Sequence, residues 1–215
     1  MKFPNESKAY RAARGKLLKE EIALRRHIEK VAAARRKLPL GGKVAEDYAF
    51  EAEEGKVRLS ELFRNGNTLV AYSFMYGPNM KAPCPMCSSM LDGLNGNARQ
   101  IGERTNLVVI AKSSIGRILA FARPRGWNNL RLLSSAGTTY NRDYYGEDVG
   151  GSQWPTMNVF VRRRGVIRHF WCSELLGVKP EPGQDGRHVD STWPLWNLLD
   201  LTPEGRGKDW RPPLG

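Results

Sequence analysis

Two hydrophobic patterns divide this chain. From residue 6 to 38, apolar positions follow a helical period: Tyr10, Leu17, Leu24, Val31 and Leu38 recur every seven residues, and Leu18, Ile22 and Ile28 widen the stripe. No proline interrupts this stretch, and Gly15 is its one weak point. The pattern predicts a single helix roughly 50 Å long, ended by Pro39-Leu40-Gly41-Gly42. Beyond residue 43 the helical stripe gives way to short apolar runs punctuated by Gly and Pro. Residues 47–51 and 56–59 flank Glu54-Gly55 as a hairpin, and residues 60–63 form a short helical turn. Residues 68–76 and 106–111 are continuous apolar, β-branched and aromatic runs, the mark of buried strands. Between them lies a helix with Met90, Leu91, Leu94, Ala98 and Ile101 on its apolar face. A second helix, capped by Ser113 or Ser114, runs to about Ala122, and residues 130–133 form a short strand. Residues 136–153 are rich in Gly, Tyr and Asp and predict an excursion loop. Residues 154–161 and 166–171 then form a hairpin with Arg162, Arg163 and Arg164 at a solvated tip. A Pro/Gly-rich loop, an apolar helix at 193–199 and a polar tail complete the chain.

Composition changes this picture in one respect. The net charge of +12 suggests nucleic acid, but residues 1–43 hold thirteen Lys/Arg against four Glu, whereas the rest carries twenty-one basic against eighteen acidic side chains. The excess therefore belongs to the N-terminal helix, as a solvated face; RNA or membrane contact is its minority reading. The division expected is a basic helix over 1–42 and a domain over 43–215. The heptad stripe exceeds what one small domain can cover, so a homodimer through this helix is expected. No run of about 18 apolar residues exists to span a membrane. The N-terminus shows no apolar signal core, and three cysteines do not make a secreted disulfide framework. The expected compartment is the cytoplasm.

The chemistry lies where the first buried strand hands over to its helix. Gly77-Pro78-Asn79 ends the strand, and a loop leads to Cys84-Pro85-Met86-Cys87. Pro85 suits the first helical position, because its missing N–H has no intrahelical partner there. Cys84 then falls at the N-cap, against unpaired amides and the positive end of the helix dipole, where a thiolate is favoured. Cys87 projects one turn on, about 5–6 Å away. Three readings of the pair stay open: a redox dithiol, half of a metal site, or two structural thiols. A zinc or copper site would need further ligands from Cys172, His169 or His188, and no second Cys-x-x-Cys exists. A non-catalytic interaction protein is the remaining alternative. Cys172 alone is read as a buried filler.

The order strand, Cys-x-x-Cys helix, strand, helix, proline-initiated hairpin, terminal helix resembles the thioredoxin fold. The local echoes are Leu69-Val70-Ala71-Tyr72-Ser73-Phe74 before the cysteines and Trp154-Pro155-Thr156 opening an apolar strand. More closely, the long basic helix, Phe74-Met75-Tyr76-Gly77-Pro78, and residues 198–206 resemble a bacterial family described as predicted dithiol–disulfide oxidoreductases. The resemblance implies an α/β fold with a thioredoxin-like central mixed sheet flanked by helices. It implies catalytic Cys84 (attacking) and Cys87 (resolving), no cofactor, and a protein or small-molecule thiol or disulfide as substrate. It also implies a cis Pro155 beside the dithiol, with Trp154, Pro155 and Thr156 binding substrate. Two features depart from the wider pattern. Thioredoxin's buried carboxylate has no counterpart near Ala71, so the proton route to Cys87 is open. The peroxidatic Pro-x-x-x-Thr-x-x-Cys signature is missing, since Cys84 follows Gly77 and Lys81.

Overall fold

The computed structural model of the chain describes residues 1–187 and 193–214. It comprises two compact units, Met1–Pro39 and Leu40–Gly215. The first is helix α1, Lys8–Arg36. Ser7 caps it, its hydroxyl oxygen accepting the Tyr10 amide at 3.0 Å. Arg35 and Arg36 occupy the last turn, where the exposed carbonyls favour positive charge. No residue of α1 is buried; Tyr10, Leu17, Leu24 and Ile28 are each at least half exposed.

The second unit is built on a seven-stranded sheet in the order β2-β1-β5-β4-β3-β6-β7. Its strands are β1 (Ala49–Ala52), β2 (Gly55–Arg58), β3 (Thr68–Ser73), β4 (Asn106–Ala111), β5 (Leu132–Ser134), β6 (Thr156–Arg163) and β7 (Val166–Cys172). Helices α2 (Pro85–Gly102), α3 (Ile115–Ala122), α4 (Tyr140–Asp143) and α5 (Pro194–Leu199) join or follow them. Strand β3 lies parallel to β4 and antiparallel to β6. Covered on both faces, it reads as an unbroken apolar run rather than an alternation. The period of two still sorts its side chains. Tyr72 and Phe74 join the core beneath α2 with Met90, Leu91 and Trp196. Leu69 and Ala71 join the opposite core with Tyr48, Phe50, Tyr140 and Phe160. The β3-α2-β4 unit, the antiparallel β6-β7 hairpin and the closing α5, which packs on α2, make this a thioredoxin-like α/β fold. Among the described residues no helix is long and apolar enough to cross a membrane.

Strand β7 is the last of the sheet. Residues 41–44 run along its outer side: Gly41 N donates to His169 O at 2.9 Å, His169 N to Gly42 O at 3.0 Å, and Val44 N to Ile167 O at 3.1 Å. A Cβ on Gly41 would sit 2.8 Å from the His169 carbonyl oxygen, so only glycine allows this approach.

Three expectations are corrected. The loop at 136–153 contains α4, a single helical turn whose Tyr140 is fully buried against Tyr48 and Phe50. One buried ring anchors it, and one ring generates no periodicity to read. Arg162 is not part of a solvated tip: it lies in β6 opposite Ile167. Its guanidinium donates to Ser60 O and Phe63 O at 3.3 and 3.0 Å and lies over the Phe63 ring. Two such bonds, at about 1 kcal/mol each, outweigh solvation of an extended side chain. The turn itself is Arg164-Gly165, both left-handed (φ 51° and 76°), the type I′ geometry that matches strand twist. Finally, the Trp154–Pro155 bond is trans; among the described residues no peptide bond is cis. The preceding chain explains this. Asp148 caps a tight turn through the Gly150 and Ser152 amides, and Trp154 N donates to Gly146 O at 3.0 Å. The reversal is finished before Pro155, and β6 begins at the next residue.

Candidate dithiol active site

The dithiol is placed by the end of β3 and the start of α2. Beyond β3, Phe74 N still bonds Ile110 O at 2.8 Å, and the chain then turns through Gly77. A Cβ on Gly77 would meet Gln153 Cγ at 2.9 Å. From α3, Arg117 donates to the Pro78 and Met80 carbonyls at 2.8 and 2.6 Å, and its guanidinium lies 4.7 Å from the Tyr76 ring centre. The Ser113 hydroxyl donates to Gly77 O at 2.9 Å. The loop is thus held at both ends, and Cys84 N closes it onto Met75 O at 3.0 Å.

Cys84 is the N-cap of α2 with extended backbone (φ −63°, ψ 124°), and Pro85 occupies the first turn. Cys84 is partly buried, Cys87 is 2 % exposed, and both are free thiols. The two sulfurs hydrogen-bond each other, which separates their acidities. The Cys84 pKa falls to about 6, chiefly because Cys87 donates to its thiolate; the Cys87 and Met86 amides and the positive charge of Arg211 add to this, against the opposing effect of burial. Cys87 moves the other way, its proton retained by the bond to Cys84 and by burial. The Tyr72 hydroxyl, buried on β3, hydrogen-bonds Cys87 and partly offsets that rise.

A cavity of about 270 Å³ opens at the pair, walled by Tyr72, Cys84, Cys87, Pro155, Leu176 and Arg211. Pro155 therefore stands beside the dithiol without a cis bond. Trp154 and Thr156 do not line this cavity: the Trp154 indole faces Asp148 at 3.4 Å and the Thr156 hydroxyl faces Tyr144 O. Both belong to a neighbouring cavity, together with His169 and Cys172. Among the described residues no three His, Cys, Asp or Glu side chains converge on a point that could hold a metal. His188 lies outside the described residues. Cys172 is a partly buried thiol whose pKa is pushed up to about 11 by burial and by Glu174.

Sequence reasoning missed Tyr72 and Arg211. The first could have been found, since the alternation along β3 puts residue 72 on the α2 face with Phe74. The second comes from a polar tail with no periodicity to place it.

The family described as "Bacterial protein of unknown function (DUF899)" matches residues 1–213. The chain belongs to the DUF899 family. No curated protein matches it. Among solved structures, this DUF899 chain is similar to the peroxidoxin BcpB from Mycobacterium tuberculosis, with 17% identity over 75% of this chain and 98% of that one and a TM-score of 0.48. It is similar to a mutant of PrxQ from Xylella fastidiosa, with 14% identity over 63% and 84% and a TM-score of 0.47. It is also similar to a secreted disulfide oxidoreductase of Mycobacterium tuberculosis, with 15% identity over 69% and 96% and a TM-score of 0.41.

Proposed function

We propose that this protein is a thiol–disulfide oxidoreductase that uses Cys84 and Cys87 as a two-electron couple. The observation that carries this reading is the placement of the pair: Cys84 partly exposed at the N-cap of α2 and Cys87 buried one turn on, both on one cavity, an arrangement that lowers the Cys84 pKa and raises that of Cys87. The Cys84 thiolate attacks one sulfur of a substrate disulfide, forming a Cys84–substrate disulfide and releasing the other sulfur as a thiolate. Cys87 then loses its proton and attacks the Cys84 sulfur, forming the Cys84–Cys87 disulfide and releasing the second substrate thiolate. Two electrons pass from the protein to the substrate, and an external dithiol restores the reduced couple. Run backwards, the same steps oxidise a substrate dithiol. The absence of Pro-x-x-x-Thr before either cysteine speaks against peroxide as the preferred substrate. Equilibration in thiol/disulfide buffers, read by peptide mass, is expected to yield one Cys84–Cys87 disulfide in a single two-electron transition. Failure of that disulfide to form under oxidising buffer sinks the reading.

Tyr72 touches the sulfur that must ionise in the second step. Tyr72→Phe is expected to lengthen the lifetime of the mixed disulfide at least about 10-fold, the lower end of the value of one hydrogen bond to a charged group. The rate of the first step should be unchanged. Quenched-flow measurement of both steps checks this; an unaltered resolution rate removes Tyr72 from the mechanism.

We also infer that α1 pairs with the α1 of a second copy. The stripe Tyr10-Leu17-Leu24 repeats at heptad spacing and is at least half exposed in the single chain. Light scattering is expected to report a dimer that loses association when residues 1–38 are deleted. A full-length chain that stays monomeric at about 50 µM, a concentration that reveals micromolar affinities, contradicts this pairing.

A further inference from the structure

The larger of the two cavities beside Pro155, about 800 Å³, is not used by the chemistry above. It meets the dithiol cavity at Pro155, Ser173 and Leu176, which line both. Its floor is made by a bulge in the β6–β7 ladder. Asn158 opposes Cys172 and Phe160 opposes His169, so two steps along β6 match three along β7. The extra residue brings His169 and Cys172, an odd number apart, to the same side of the sheet. The floor is fixed. Asn158 Nδ2 donates to Tyr144 O at 3.1 Å, which turns its Oδ1 to His169 Nε2 at 2.9 Å, and the His169 ring stacks on Tyr144. Burial keeps His169 below its ordinary pKa, so the ring adds no charge near neutrality.

The walls combine aromatic surface with negative charge. Tyr144, Tyr145 and Trp154 supply the rings, and Leu176 and Val178 the aliphatic side. Asp143, Glu147, Asp148 and Glu174 supply four carboxylates, against Lys43 alone among the lining residues. Lys112 stands 3.3 Å from Glu147 and offsets one of them. A chain of net charge +12 thus carries an acidic, aromatic recess next to a reactive thiolate. The dithiol cavity has the opposite sign, with Arg211 and with Arg187, which Asp185 pairs at 2.7 Å, among its lining residues. A general attraction to anions therefore cannot imitate what the recess selects.

Resting on the oxidoreductase reading, we propose that this recess is a specificity site for a disulfide-bearing polypeptide whose residues next to the cysteine are aromatic and cationic. The reacting disulfide lies over Cys84, and the neighbouring side chains cross Pro155 into the recess. There an aromatic ring meets Tyr145, and a guanidinium or ammonium meets Glu174. A cavity of this volume lies within the usual range for ligand sites, and charge complementarity in it discriminates between partners.

The test uses the full-length reduced protein and three probes. These are hydroxyethyl disulfide and the disulfide-linked homodimers of two blocked peptides, Trp-Arg-Cys-Gly and Gly-Glu-Cys-Gly. Each peptide rate is divided by that peptide's rate with free 2-mercaptoethanol, which removes intrinsic reactivity. The Trp-Arg peptide is expected to react about tenfold faster than the Glu peptide, an advantage of one ring contact plus one partly screened ion pair. In the double variant Glu174→Gln/Tyr145→Ala the ratio is expected to fall to within about twofold of one, since both contacts are gone. Equal rates for the two peptides in the wild-type protein, with hydroxyethyl disulfide still reduced, overturn the specificity site and leave the oxidoreductase reading standing. A wild-type preference that survives in the double variant also overturns it. If hydroxyethyl disulfide itself is not reduced, both readings fall together.

Discussion

Cys87→Ser is expected to accumulate a stable mixed disulfide on Cys84, while Cys84→Ser is expected to accumulate none. Both follow from the asymmetry of the site. Both cysteines line the cavity, but Cys84 is the more exposed of the two and the one with three stabilising donors, the Cys87 thiol and the Cys87 and Met86 amides. Cys87, in the first turn of α2, is almost wholly enclosed in the core, so a substrate disulfide reaches Cys84 first. Without Cys87 the first exchange still proceeds, but no intramolecular thiol remains to release the substrate, and turnover should fall at least about 100-fold. Without Cys84 the attacking thiolate is gone, and turnover should fall as far with nothing trapped. The measurement is intact-protein mass after exposure to hydroxyethyl disulfide, which adds one mercaptoethanol unit per trapped chain. Trapping on Cys87 in the Cys84→Ser protein would reverse the assigned roles, and undiminished turnover in either variant would falsify the couple.

In the Cys87→Ser/Cys172→Ser background, iodoacetamide should modify Cys84 at a rate that follows its thiolate. The serine hydroxyl retains a donor at position 87, so the pKa stays well below the ~8.5 of a free thiol. In the parent dithiol, where Cys84 titrates near 6, alkylation should be on its plateau at neutral pH. It should drop about tenfold by one unit below the pKa, because the thiolate is lost as pH falls through it. The same displacement has a stability sign. A folded-state pKa below the unfolded one favours the folded reduced chain once the unfolded thiol is itself ionised, above ~8.5, and this contribution is lost as pH falls through the folded value. A Cys84 alkylation curve centred near that of a free thiol contradicts the N-cap geometry as the source of reactivity.

The frame of the molecule was legible because it is written in the two periods that sequence carries best. Residues 68–76 and 106–111 are continuous apolar runs, and they became β3, which ends at Ser73, and β4 at the centre of the sheet. Cys84 at the N-cap and Pro85 in the first turn followed from local chemistry alone. What escaped depended on single long-range contacts. Arg162 looks like its neighbours Arg163 and Arg164 until the carbonyls of Ser60 and Phe63 are brought beneath it. Tyr140 sits in a run of Gly, Thr and Asn that gives no face to follow. The trans geometry at Pro155 was hidden for a different reason. The expectation came from resemblance, and the turn built by Asp148 reaches the same place for Pro155 by another route.

The pairing of residues 41–44 with β7 decides where this chain can be cut. An outermost strand with open amides and carbonyls is a template on which another molecule can add, and proteins protect such strands with short covering segments. Here the cover is two glycines and the residues after them, bonded at His169 and Ile167. A truncation that starts the body at Lys43 strips the Gly41 and Gly42 bonds and leaves part of β7 open to intermolecular pairing, with aggregation as the outcome. One that starts at Leu40 removes the whole basic helix and keeps the β7 edge covered.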